Sequence, residues 1–286
     1  MPPTALALLL VAAILHAGWN LLVKQARERF VFTWWAMVVG SLAFLPVLLA
    51  SRPLPARVAP YAFGSALLEA AYVATLAAAY GRGDFSLVYP VARGAAPALL
   101  AAGSVVFLGE RLRPAGVAGL AILVLGLMVV GGSGRWRRRA GEGVGTGGVG
   151  LALLVAVLIA SYSVVDGAAV RIARPGPYTV LVVALTALVL TPIVVRRYGW
   201  RALGEEWRAA WPRITLVGIL SMLAYILVLG AYSIARVAYA GAVREVSVVF
   251  GALAGWRFLG EGFGLARTAG AILVFAGILV LALSGS

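Results

Sequence analysis

What most restricts the fold of this chain is its division into ten apolar runs, each about the length a helix needs to cross a bilayer. The hydrocarbon core takes about 20 apolar residues per helix, with about 17 to 25 tolerated. Charged residues, Gly and Pro separate runs of that length at 4–24, 31–51, 60–81, 85–108, 114–131, 148–171, 177–195, 214–233, 238–258 and 265–283. In lipid every backbone N–H and C=O must be satisfied inside the protein, so runs of this kind span as helices. The expected fold class is an all-α polytopic membrane protein. With 63% hydrophobic and 12% charged residues, the composition describes a lipid-facing surface rather than a soluble one. The first run has no Lys or Arg ahead of it and is followed by many equally apolar runs, so it is expected to be a retained span rather than a cleaved signal.

A formal charge of +14 is the balance of a nucleic-acid binder, but its placement is not. Nearly all Lys and Arg fall in short segments between apolar runs, including Arg135-Trp136-Arg137-Arg138-Arg139, which leaves no soluble basic face for a nucleic acid. The loops after odd-numbered runs hold about twice as many cations as the others, a bias that places the Arg135–Arg139 loop in the cytoplasm and both termini outside. The chain has no Cys and a single His, which excludes disulfides, thiolate ligands and a Cys nucleophile and leaves no basis for a His-based metal cluster. No Gly-rich loop ends in Gly-Lys-Ser or Gly-Lys-Thr, so no nucleotide cofactor is expected, and none of any other kind.

An internal repeat organises the runs. A shift of 151 positions places Arg93 on Arg244, Phe107-Leu108-Gly109-Glu110 on Phe258-Leu259-Gly260-Glu261, Gly119 on Gly270 and Gly126 on Gly277. The expected units are 1–131, a basic and Gly-rich linker at 132–147, and 148–286. Each unit holds five runs, an odd number, so the second must enter the membrane in the opposite orientation. Inverted repeats are the architecture from which many secondary transporters are built. The glycines of the fifth and tenth runs suit close helix packing, between halves or between protomers, so a monomer and a homodimer both remain compatible.

Charged groups inside a span are costly, about 2.5 to 3.5 kcal/mol each at its centre on insertion scales, and therefore mark function, partners or water. Glu69, Arg93, Asp166, Arg244 and Glu245 are such groups. Glu69 has Tyr72 on the same face; it either pairs with Arg93 or titrates and binds solute. Asp166 lies toward the end of its run, where it either joins a site or snorkels to the interface. Tyr89-Pro90-Val91-Ala92-Arg93-Gly94 is expected to kink the fourth span beside Arg93. Arg244 and Glu245, adjacent in sequence, are expected to point about 100° apart, one to a cavity and one to packing. In the first run His16, Trp19 and Asn20 form a polar face, either a helix-packing contact or part of a central cavity. Tyr225 and Tyr232 either line a pathway or pack. Glu110 and Glu261, in loops at span ends, are expected to be solvated and to serve a helix start. Between the seventh and eighth runs, residues 196–213 are expected to form a connection in which Trp200, Leu203, Trp207 and Trp211 share one face of a short interfacial helix.

Ten runs in two inverted halves, His16-Ala17-Gly18-Trp19-Asn20, Tyr89-Pro90-Val91-Ala92-Arg93-Gly94 and a Leu-Gly-Glu closing each half resemble the EamA-type members of the drug/metabolite transporter superfamily. The resemblance covers the whole chain. It implies secondary transport, often export of amino acids, other metabolites or drugs, and in related branches exchange of nucleotide or phosphorylated sugars held by basic residues. It also implies cytoplasmic termini, opposite to the charge count.

The expected function is alternating-access carriage of a small solute across the plasma membrane, coupled to protons or to exchange. Arg93 and Arg244 would hold a carboxylate or phosphate, while Glu69, with His16, Asp166 or Glu245, handles the proton; Trp19, Asn20, Tyr72, Tyr89 and Tyr225 would complete the pathway. The competing readings are a multidrug or lipophilic-cation exporter, a channel and a membrane-embedded enzyme.

Overall fold

A computed structural model describes residues 1–82, 85–132, 146–259 and 264–284 of the chain. The secondary structure of these residues is helical, with no strand among them. The helices are α1 (Pro3–Lys24), α2 (Arg29–Ala43), α3 (Leu45–Leu49), α4 (Ala59–Arg82), α5 (Phe85–Leu108), α6 (Pro114–Gly132), α7 (Thr146–Ala169), α8 (Pro175–Ile234), α9 (Val237–Arg244), α10 (Ser247–Leu259) and α11 (Leu265–Ser284), with a single 3-10 turn at Ala56–Val58. Three of them, α1, the 150–169 part of α7, and α8, are long and apolar enough to cross a membrane by length and composition alone. The ends of the chain meet, since the Met1 nitrogen donates to the Ala282 carbonyl at 2.7 Å.

One feature departs from the sequence expectation. The 60 residues of α8 take in two apolar runs and the connection expected between them, and the chain reverses at a single residue, Gly199, at φ 74° and ψ 158°. Only glycine enters that region without steric cost. The arms on either side then lie antiparallel: Leu190 and Val194 cluster with Leu203, while Val180 and Val183 cluster with Met222 farther from the turn. Residues 196–213 are therefore helical, but as the ends of two long arms rather than a short separate helix, and the expected apolar face splits. Leu203 is buried and Trp207 packs on Trp35 with centroids 5.0 Å apart, whereas Trp200 and Trp211 stay exposed. Helix α5 is assigned as one helical run that takes in Pro90 and Pro97. A helix break falls at the repeat mate of Arg93: α9 ends at Arg244 and α10 begins at Ser247.

The repeat is visible in how α6 meets α11. A Cβ built on Gly126 would come within 2.7 Å of the Gly270 carbonyl oxygen, and one built on Gly277 within 2.7 Å of the Gly119 carbonyl oxygen. Gly119 thus faces Gly277 and Gly126 faces Gly270, so the two helices run antiparallel. Each glycine faces the repeat mate of its own partner's equivalent, the self-complementary pattern of a local two-fold axis. An axis relating antiparallel neighbours lies perpendicular to them, as inverted repeats require.

Candidate functional site

The polar groups inside the bundle converge on one tyrosine. Glu69 sits midway along α4, Asp166 one turn from the end of α7 and Tyr225 in the second arm of α8; the two acids are buried and the tyrosine is half-buried. The Tyr225 hydroxyl contacts both Glu69 Oε1 and Asp166 Oδ2 at hydrogen-bond range. Tyr178 Oη, in the first turn of α8, donates to Asp166 Oδ1 at 2.8 Å. Thr186 Oγ1 lies 3.1 Å from Glu69 Oε2 and 2.9 Å from the Val182 carbonyl. Ser65, one turn before Glu69, is buried beside Asp166 and Tyr178 without closing to a hydrogen bond of normal length.

Packing explains why Asp166 is inside rather than snorkelling. Residues 170–174 turn straight back into α8, Ala169 and Val170 are buried, and Gly167 leaves room only for Val237 of α9, which an added Cβ would meet at 2.7 Å. The interfacial alternative for Asp166 is thereby overturned.

A phenol has one proton to donate and can accept in return. Between two carboxylate oxygens it donates to one and is satisfied by the other only if that carboxyl carries a proton. Three oxygens from three helices therefore form a chain that needs one proton beyond the tyrosine's own, and either acid can hold it.

Arg244 borders this chain. Its Nε and Nη2 reach Glu245 Oε1 at 3.4 and 3.3 Å, and its Nη1 is 3.5 Å from Ser163 Oγ, one turn before Asp166. On a continuous helix adjacent residues diverge by about 100°. Here α9 stops between them, and the expected divergence is replaced by a buried ion pair.

Of the remaining candidates, those on α1 lie apart. On α1 the His16 and Trp19 rings meet edge to face at 4.6 Å and Asn20 Nδ2 donates back to the His16 carbonyl at 2.8 Å, which directs the amide along its own helix. Trp19 packs toward Phe32 and Ile214. Tyr72 stacks on Tyr162 at 5.9 Å, against Ala92, Ala96 and Val155. The side chains of Tyr89 and Arg93 lie outside the described residues, as does Glu261. Tyr232 packs in the main apolar core.

Tyr178 and Thr186 were not anticipated. Their spacing of eight, two turns on one face of an otherwise apolar helix, was the available signal. Glu110 corrects the expected solvation, and the helix start it serves is that of α9. It is not solvated but buried, and its carboxylate accepts the amide N–H groups of Val237 at 2.7 Å and Ala238 at 3.1 Å, with Arg171 Nη2 at 3.4 Å. It caps the start of α9.

The comparisons bear on what such a bundle is. The profile of the EamA-like transporter family matches residues 3–132 and again 146–283, almost the whole chain in two copies. The chain belongs to the EamA-like transporter family. This EamA-like transporter is also similar to a solved structure described as "Crystal structure of protein", at 22% identity over 99% of this chain and 98% of that one, with a TM-score of 0.77. That likeness extends to the fold. No curated protein matches. Membership makes the chain a membrane protein of the drug/metabolite transporter type, and the family is one of transporters rather than enzymes.

Proposed function

We propose that this EamA-like transporter crosses the plasma membrane ten times, as two five-helix halves of opposite orientation, and exports a small zwitterionic or anionic metabolite, such as an amino acid, by alternating access coupled to protons. The observation that carries the reading is Tyr225 standing between Glu69 and Asp166. Glu69 comes from the first repeat, Asp166 and Tyr225 from the second. A proton shared across that junction changes the attraction between halves when it leaves, and so ties proton release to a change of conformation. Arg244, beside the chain, supplies the positive charge for a solute carboxylate, with Arg93 as its repeat mate. The antiparallel α6–α11 crossing is the pivot.

The test is uptake of labelled amino acids and organic acids into proteoliposomes, with and without a proton gradient, in the wild type, Glu69→Gln and Asp166→Asn. Gradient-dependent flux that both variants lose supports proton coupling at this site. Flux that ignores the gradient, or survives both substitutions, removes it.

One observation favours a second reading. The buried acids Glu69, Asp166 and Glu245 outnumber Arg244 among the described groups, and Tyr72, Tyr162, Tyr178 and Tyr225 stand near them. Carboxylates among aromatic rings suit a lipophilic cation. Competition of the labelled flux by such cations, rather than by anions, selects that reading.

A further inference from the structure

A cavity of about 390 Å³ opens where the two ends of the chain meet, away from the tyrosine-bridged carboxylates. It is lined by Met1 and Pro2, by Glu110, by Arg171, and by the 232–236 turn with Tyr239. Its volume is in the range of small-ligand sites, about 300 to 1,000 Å³.

The charge of the lining is unbalanced. Its carboxylate, Glu110, is already engaged by the Val237 and Ala238 amides and by Arg171. Arg171 Nη1 also donates to the Leu108 carbonyl at 3.0 Å, which fixes the guanidinium at the wall. Among the described residues no acid pairs with Arg236 in this way. Its guanidinium carbon lies 5.6 Å from the Tyr239 ring centroid, and its Nη1 is buried without a hydrogen-bond partner. A buried donor on a charged group without a partner is expensive, and such atoms are normally satisfied.

Tyr239, the ring beside that arginine, is itself held in place. Its hydroxyl accepts the Arg113 amide N–H at 3.0 Å, and the tyrosine fills the space that the missing side chain of Gly116 leaves. The surroundings are positive: partial burial, then Arg236 and Arg113, hold the Met1 ammonium below the usual range of an amino terminus. An incompletely paired guanidinium in a positively charged cavity is the arrangement that recognises oxyanions, because the planar fork matches two oxygens at once.

We propose that this cavity is a phosphate site, in which Arg236 and Arg171 hold the phosphate of a lipid headgroup or of a free phosphate. Occupancy would clamp together the start of α1, the turn before α9 and the segment after α5, which belong to different repeats. The site is independent of the carboxylate chain, and so of the function proposed above.

The test uses the full-length protein purified in detergent. Thermal unfolding is followed against inorganic phosphate, with chloride at matched ionic strength as control. Native mass spectrometry follows retention of phosphatidylglycerol against phosphatidylcholine. Both are run on the wild type, Arg236→Gln, Arg236→Lys and Ser233→Glu, the last placing a carboxylate at the exposed edge of the cavity so that the proposal stays testable if Arg236→Gln does not fold. We expect binding to weaken at least about tenfold in Arg236→Gln and Ser233→Glu, the scale of one charge-assisted hydrogen bond, and less in Arg236→Lys. Stabilisation by inorganic phosphate identifies a soluble ligand, and retention of phosphatidylglycerol alone identifies a headgroup; both support the site if they follow Arg236 or Ser233. Absence of both, or binding that the substitutions leave unchanged, overturns it.

Discussion

The carboxylate of Glu110, in the first repeat, accepts the amide N–H of Val237, in the second, at 2.7 Å. The start of α9 is thus capped from the other half of the molecule. Removing such a cap costs about 0.5 to 2 kcal/mol, and hydrogen bonds to a charged group are worth about 1.5 to 3 kcal/mol. Glu110→Ala is expected to lower stability by about 2 to 3 kcal/mol and Glu110→Gln by about half as much, because the amide oxygen keeps one acceptor position. Equilibrium unfolding in mixed micelles measures both. The half-exposed Arg171 partner contributes little to this figure.

The α6–α11 crossing predicts a sharp contrast between glycines. At Gly126 an added Cβ meets backbone, the Val274 nitrogen at 2.6 Å, so the helices must separate; at Gly64 it meets nothing within 4 Å. Gly126→Ala should destabilise by about 1 to 3 kcal/mol, the usual range for overpacking. Gly64→Ala should be neutral or stabilise by up to about 1 kcal/mol through helix propensity. Melting temperatures of the two variants in one detergent make the comparison.

Tyr225 and Tyr178 both hydrogen-bond Asp166, but only Tyr225 also reaches Glu69. Tyr225→Phe removes the bridge, and proton-driven flux in proteoliposomes should fall at least about tenfold, typical for loss of a proton-transfer group. Tyr178→Phe leaves the bridge in place. It should cost about 1 kcal/mol of stability, one hydrogen bond, while gradient dependence persists. Equal losses of coupling in both variants would show that the hydroxyls only hold Asp166 in place.

Trp34 fastens α2 to the first arm of α8, its Nε1 donating to the Ala187 carbonyl at 3.2 Å and to Thr191 Oγ1 at 3.1 Å. Trp34→Phe should lower stability by about 1 to 3 kcal/mol, since the buried acceptors lose their donor and the smaller ring leaves a void. Thr191→Val, which leaves the carbonyl bond intact, should cost less. Unfolding in urea-containing micelles ranks the two.

The individual members of the site were legible because a charge in lipid is costly whatever it touches, so Glu69, Asp166, Arg244 and Glu245 stood out from an apolar background. Their assembly was not legible. Tyr225 reaches Glu69 across 156 positions and Asp166 across 59, and no local pattern encodes which faces of α4, α7 and α8 will meet. Glu110 was misread for the opposite reason: a carboxylate beside Arg111 and Arg113 looks solvated until the helix end it caps is brought to it from the second half.

Apolar run lengths and the spacing of 151 determined the helical class and the two repeats, because lipid leaves the backbone no alternative to helices and because homologous segments repeat their glycines and charges whatever their contacts. Helix breaks, reversals and pairings were decided by tertiary structure. The interruption at Arg244–Glu245 has no proline to announce it, and the long connection collapsed to one residue, Gly199. A break forms where packing supplies partners for the backbone groups it frees, and that supply is a property of neighbouring helices rather than of the segment itself.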